Sequence, residues 1–373
     1  MKEGVISTGL KAPIIRQGDD LVDIVSNIVI DYFKVENEFE DNEFSYNMGN
    51  KPVIGITESI VARAQGNYVT VDDIAQYLSE NKYSKKLNLF NPLMSRNRFS
   101  LILKGIARHA DEITIWFNGE TDDQGNPNYG INQFTGVDIQ EYYTEICNAE
   151  NCKLTFDDIT KGIFWLQQGD KRCYIDCSVR PKTTDKEYDY STLADILKTP
   201  VTRADGSKSG YNSIFGVLGS NKADEELLKL FPKPVESVNL VHQIQERIYK
   251  VTGTKPEVMI YGDGCFKDPV GGIWEFADPE TAPAYTEGLE GLPNEIKIKY
   301  FADSKYKDLK GEALEKAIDR EIAVHKNKDL VGSMVSQGTT PRRYIDLLAS
   351  LMDLTTGSGS RRTPIVVVQN YFD

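Results

Sequence analysis

Residues 51–67, KPVIGITESIVARAQGN, run strand, turn and short helix, and the helix stops at Gly66. The same alternation surrounds this stretch. Before it, DDLVDIVSNIVIDYF (19–33) is an amphipathic helix with Leu21, Ile24, Val25, Ile28 and Val29 on its apolar side, entered through a Gly18–Asp19 turn and cap. After it come a helix over 71–78 capped by Thr70 or Asp72, a helix over 100–109, and the strand EITIWF at 112–117. Further on, 235–251 spaces Leu240, Ile244 and Ile248 as one helical face, and KPEVMIY (255–261) reads as a strand. LKGEALEKAIDREIAVH (309–325) and YIDLLASLMDL (344–354) read as helices, and TPIVVVQNYFD (363–373) as a buried apolar strand. Alternating elements of this kind indicate a mixed α/β protein.

Between about 118 and 209 the character changes. Two turn-rich segments, GETDDQGNPNYG and TPVTRADGSKSG, flank a helix near 139–147 and strand candidates KLTF, IFWLQQ and CYIDC. The expected division is therefore a core part over 1–117, an inserted lobe over 118–209, and a second core part over 210–373 that carries the site.

Composition narrows the function. Lys plus Arg is 43 against 56 for Asp plus Glu, a net charge of −13, which argues against broad binding to nucleic acid or an anionic membrane. No run of apolar residues is long enough to span a bilayer, and the first residues lack the pattern of a secretory signal. Five cysteines, an odd and sparse number, suit a reducing compartment, so a cytoplasmic protein is expected. Cys147/Cys152 and Cys173/Cys177 have wider spacing than zinc knuckles, so they read as free buried thiols before they read as a zinc site.

Several constellations could carry chemistry. In GDGCFKDPVGG (262–272) Asp263 follows a strand directly, between two glycines, with Asp268 beyond. A carboxylate at a strand's end suits magnesium or manganese, which leave positions for water and phosphate; the same pattern also makes a plain Asp-Gly turn. Asp303 and Asp308 form a second acidic group, and Asp308 also reads as a cap for the helix starting near Gly311. In SQGTTPRRYIDLL (336–348) Gly338, a capping Thr339 or Thr340, Pro341 in the first turn, and Arg342 and Arg343 together suggest an anion site at a helix start. Arg96, Arg98 and Lys104, and the turn Gly219–Ser220–Asn221, read equally as capping chemistry; TTGSGSRRT (355–363) reads as a connection. There is no Walker loop, no complete dinucleotide fingerprint, no His-Glu-x-x-His and no nucleophile elbow. The three histidines fall in helical patterns and read as surface groups.

Six segments then resemble, in order, the coenzyme F-420 γ-glutamyl ligases: KAPIIRQGDDL (11–21), ITESIVARAQGNYV (56–69), GSNKADEELLKLFPKP (219–234), EVMIYGDGCFKDPVGG (257–272), KYKDLKGEAL (305–314) and YIDLLASLMDLTTGSGSRRTPIVVVQ (344–369). The resemblance implies that family's α+β fold with mixed sheets, here with an inserted subdomain, and a homodimer. It implies GTP (or ATP) and Mg2+ or Mn2+ as requirements, phosphorylation of an acceptor carboxylate, and attack by the amine of L-glutamate on the acyl phosphate. Small-molecule partners are thus the acceptor, L-glutamate and a nucleoside triphosphate, with no nucleic acid or membrane.

The expected catalytic residues are Asp263, Lys267 and Arg342, and the expected metal ligands Asp263 and Asp308. Ser59, Arg63, Ser220, Asn221, Gly338, Thr339 and Arg343 are expected to bind nucleotide or acceptor. Ser59 and Arg63 replace two lysines of the family pattern, and Cys265–Asp268 replace Arg-Pro-Trp-Arg, so the acceptor is expected to differ, a folate being one candidate. A metal-dependent phosphohydrolase and a non-catalytic nucleotide- or metabolite-binding homologue are the alternative readings.

Overall fold

The computed structural model describes residues 4–36, 44–122, 127–132, 136–159, 171–178, 190–262, 266–267, 274–275, 280–292, 296–325, 342–357 and 359–372. The chain divides into two compact units, residues 1–286 with 349–373, and residues 287–348. The first unit begins with β1 (Ile6–Leu10), α1 (Leu21–Phe33) and the hairpin β2 (Lys34–Glu36)–β3 (Phe44–Tyr46). Next come β4 (Val53–Thr57), α2 (Glu58–Ala64), β5 (Tyr68–Thr70) and α3 (Val71–Glu80). They lead to β6 (Lys86–Phe90), α4 (Arg98–His109), β7 (Glu112–Phe117), α5 (Ile139–Ala149) and β8 (Lys153–Asp158).

Short strands β9 (Tyr174–Asp176), β10 (Ser191–Thr192), β11 (Ser220–Lys222) and β12 (Leu227–Leu230) precede α6 (Pro234–Thr252) and β13 (Glu257–Tyr261). β14 (Phe266–Lys267), β15 (Trp274–Glu275) and β16 (Ala284–Tyr285) follow. The second unit holds α7 (Ile298–Asp303) and α8 (Glu312–His325); α9 (Tyr344–Thr356) starts in it and continues into the first, before β17 (Ile365–Gln369).

Two sheets dominate the first unit. One has the order β1-β17-β4-β13-β16, with β17 antiparallel to β1 and β4, β13 parallel to β4, and β16 antiparallel to β13. Val53, Ile54, Ile56, Ile365, Val366 and Val368 are fully buried. Each such side chain contributes about 1.5–3 kcal/mol by leaving water, more than the ~1 kcal/mol span of strand propensity, so burial decides which strands are central. α1 and α6 close one side through Val25, Val29, Val241, Ile244 and Ile248. At Gly55 a Cβ would lie 2.1 Å from Met352 Sδ and 3.1 Å from Tyr261 Cδ1, so a glycine lets α9 lie close over β4.

The second sheet, β10-β9-β6-β7-β8, is parallel throughout. Its core joins Leu87, Leu89, Ile113 and Ile115 to Ile74, Leu78, Ile102 and Ile106 of α3 and α4. Residues 118–209 supply β8, β9 and β10 to this sheet, alongside β6 and β7 from before them. The molecule is thus α+β, and beside the mixed and the parallel sheet its described residues form the antiparallel sheets β11-β12-β5, β2-β3 and β14-β15.

Local chemistry sets the helix ends. Asp20, rather than Asp19, caps α1 by accepting from the Asp23 N–H, and Thr70 caps α3 in a reciprocal box with Asp73. The turn at 219–222 opens no helix; Ser220–Lys222 pairs antiparallel with Leu228–Leu230, and all three residues of that partner strand are buried.

Candidate functional site

β4 and β13 run parallel and end together, Thr57 opposite Tyr261. Loops leaving the carboxyl ends of parallel strands are where α/β sheets bind ligands. The Thr57 N–H donates to Pro364 O (3.0 Å) and the Gly262 N–H to Thr281 O (2.9 Å), so both strand ends are pinned by backbone hydrogen bonds. Glu58 and Ser59 leave this edge from β4, and Gly262 leaves it from β13. β1 ends and β17 begins at the same edge, Leu10 opposite Ile365, and the Ala12 N–H donates to Arg362 O at 3.1 Å. The connection read from sequence as a mere linker therefore brings exposed Arg361 and Arg362 to the edge. Its own bonds, Tyr261 hydroxyl to Thr356 hydroxyl and Thr363 Oγ1 to Thr356 O at 3.2 Å, hold it there.

α2 connects this edge to the β11–β12 hairpin. Glu58, 4% exposed, accepts from Lys229 Nζ at 2.6 and 2.8 Å on its two carboxylate oxygens. Lys229 stands on β12 directly opposite Asn221 on β11. The half-buried residues Ser59 and Asn221 are thus each adjacent to one member of a single buried ion pair, and α2 also packs on β13. Ser220 faces inward instead: it is 1% exposed, its hydroxyl donates to Val217 O (2.7 Å), and its carbonyl accepts from the buried Arg98 Nε. Arg63 is exposed in the last turn of α2.

The end of α2 is set by Gly66, whose φ of +59° favours glycine. A Cβ there would lie 2.4 Å from the Gln17 amide, and the Gly18 N–H donates to Ala64 O at 2.9 Å, so segment 16–19 docks on the helix end. Gly66→Ala should cost about 1–3 kcal/mol through left-handed strain and displacement of Gln17, measured by urea unfolding. Wild-type stability would show that the docked segment yields freely.

The other expected residues divide between described and undescribed positions. Asp263, Gly338, Thr339 and Pro341 lie outside the described residues. Lys267 stands on β14 opposite Trp274, and its side chain too lies outside them. In the second unit Asp308 is exposed and four residues ahead of Glu312, so it does not cap α8. α9 begins at Tyr344 rather than at Pro341, and the Tyr344 N–H donates to Gly291 O (3.1 Å). Arg343 makes a bidentate pair with Asp346 (2.9 and 2.8 Å), which occupies its guanidinium on its own helix. Arg342 is exposed. Among the described residues no group of three or more His, Cys, Asp or Glu is placed to hold a metal.

Cys147, Cys152 and Cys177 are buried and reduced. The Asn151 φ of +59° and the Cys152 N–H···O Cys147 bond (2.9 Å) turn the chain at the end of α5 so that the Cys152 thiol meets that of Cys147. The contact with Cys152 and burial push the Cys147 thiol far up, and burial does the same to Cys177.

His109 is buried, not superficial: Nε2 contacts Tyr83 O at 3.1 Å and Nδ1 contacts the Ser79 hydroxyl at 3.4 Å. Burial lowers its pKa, so the fold holds it neutral. The unfolded chain protonates it below about pH 6.5, so its contribution is present above that value and is lost as pH falls toward the folded pKa. The stability lead of wild type over His109→Gln should therefore shrink on acidification from pH 7 to 5; a lead that grew would contradict this.

Of the features at the edge, the pair Glu58–Lys229 and the arginines 361–362 escaped the sequence reading. A lysine within Leu-Leu-Lys-Leu-Phe was a visible sign of a paired buried charge. The arginines repeat, after Gly-Ser-Gly-Ser, the pattern noticed at 342–343.

No helix among the described residues is long and apolar enough to cross a membrane. No curated protein matches the chain. A family model described as F420-0:gamma-glutamyl ligase, however, matches residues 9–370, which takes in both sheets, the shared edge and the second unit. The chain belongs to the F420-0:gamma-glutamyl ligase family.

Proposed function

We propose that the protein uses a nucleoside triphosphate, GTP before ATP, to activate an acceptor carboxylate as its acyl phosphate and joins it to the amine of L-glutamate. The observation that carries this reading is the shared edge where β4 and β13 end. It gathers the α2 start, the position from which Asp263 follows, the Asn221 hairpin and two exposed arginines. In such a reaction phosphoryl transfer comes first: the acceptor carboxylate oxygen bonds the γ-phosphorus and the nucleoside diphosphate leaves. The glutamate amine then attacks the acyl carbon, inorganic phosphate leaves, and the amine gives up a proton.

The protein's own work is positioning and charge stabilisation. Arg361 and Arg362 supply planar donors suited to phosphate or carboxylate, with Arg63 and Arg342 as further cations. Ser59 and Asn221 offer hydroxyl and amide contacts for orientation. The carboxylates of Asp263 and Asp308 are hard oxygen donors, and Mg2+ or Mn2+ needs only one or two of them beside water and phosphate. When bound, that ion would neutralise phosphate charge. Lys267 is assigned, in this reading, to the acceptor or the γ-phosphate. The acceptor is coenzyme F-420-0 or another carboxylate such as a folate, and the working form is a cytoplasmic homodimer.

The test is phosphate release from purified protein with GTP or ATP and Mg2+ or Mn2+, with and without L-glutamate, across coenzyme F-420-0, folates and other carboxylates. Release that requires both glutamate and one acceptor is expected. Release indifferent to glutamate would replace the ligase with a phosphohydrolase. Tight nucleotide binding without release would make the protein a non-catalytic binder.

A further inference from the structure

The Glu58–Lys229 pair joins residues 171 apart in sequence, and both side chains are at least nine-tenths buried. Ion pairs in such places are poor sources of stability, because each charge gives up its hydration and apolar replacements of similar size fold as well or better. Nor does this pair attract an anionic ligand, since the two charges cancel. Its effect is geometric. The carboxylate belongs to the first residue of α2, immediately after β4; the ammonium belongs to the middle of β12, facing Asn221 across the hairpin. The Thr57 side chain makes no cap bond to α2, and among the described residues the ion pair ties the helix's first residue to the hairpin.

We infer that Glu58 and Lys229 are positioning residues that fix the start of α2 against the β11–β12 hairpin, setting the distance between Ser59 and Asn221 at the edge of the site. The catalytic part of this inference rests on the ligase reading above; the positional part does not. A misplacement of about 1 Å at a reacting centre can cost on the order of a hundredfold in rate, so a rigid clamp there has consequences beyond stability.

The experiment uses the full chain and the double variant Glu58→Met/Lys229→Met, which leaves no uncompensated charge, with Lys229→Arg as the conservative control. Amide hydrogen exchange is followed over 57–64 and 220–230. In parallel, phosphate release is measured with GTP, Mg2+ and L-glutamate, and with coenzyme F-420-0, folates and other carboxylates in turn as acceptor. The double variant should melt close to wild type, exchange about tenfold faster in those two segments only, and lose roughly tenfold to a hundredfold in kcat with a smaller change in KM for GTP. Lys229→Arg should recover most of both. Wild-type exchange and wild-type kcat in the double variant would overturn the inference and leave the pair a structural remnant. If the wild-type protein releases no phosphate with coenzyme F-420-0, the folates or the other carboxylates, the ligase reading fails, and the exchange result alone decides the positional claim.

Discussion

Lys229→Met should lower stability by about 3–5 kcal/mol. Methionine matches the length and most of the volume of lysine, so little of the loss comes from a cavity. It comes from Glu58, which is 4% exposed and loses the ammonium that contacts both of its oxygens. Urea unfolding should show a lowered midpoint at unchanged slope. The double Met variant should regain most of the loss, making the cycle strongly non-additive, as expected for groups in direct contact. A loss below about 1 kcal/mol would put the pair in the regime of exposed ion pairs, screened by solvent, and would contradict the burial of both side chains.

Asp263→Asn should lower glutamate-dependent phosphate release by at least about a hundredfold while leaving the melting temperature unchanged. The substitution keeps size and shape and removes one negative charge directly after Gly262, whose N–H is held by Thr281 O. An amide oxygen is a weaker donor to a hard cation than a carboxylate. Raising Mn2+ should therefore recover part of the lost rate, which an altered fold would not do. Wild-type turnover in Asp263→Asn would remove Asp263 from the site. Asp308→Asn, run beside it, asks the same of the second unit, where Asp308 is exposed and is not the helix cap.

Much of the secondary structure was legible because the signals are local. Ile365–Gln369 is a run of β-branched residues, and it is a buried strand. Thr70 and Asp73 form their capping box within four residues, and Pro234 stands in the first turn of α6, where its missing N–H costs nothing. The turn at 219–222 was not legible: Gly-Ser-Asn suits a helix cap and a hairpin alike, and only pairing with Leu228–Leu230 distinguishes them. His109 looked superficial because its helix neighbours are charged, yet Tyr83 and Ser79 enclose it from other elements. Arg343 reads from sequence as an anion ligand, and the fold adds a bidentate partner that the sequence did not show, Asp346 three residues on.

Taken alone, the sequence determined the α+β class, the order of most elements, and, through six weak segments in the right order, the ligase family. These depend on periodicity, capping and motif order, which are written along the chain. Only the tertiary structure decided that Thr57 and Tyr261 end side by side, that Arg361 and Arg362 reach the same edge, and that Lys229 meets Glu58. Such contacts join residues far apart in the chain and depend on strand register and burial, which no local pattern encodes.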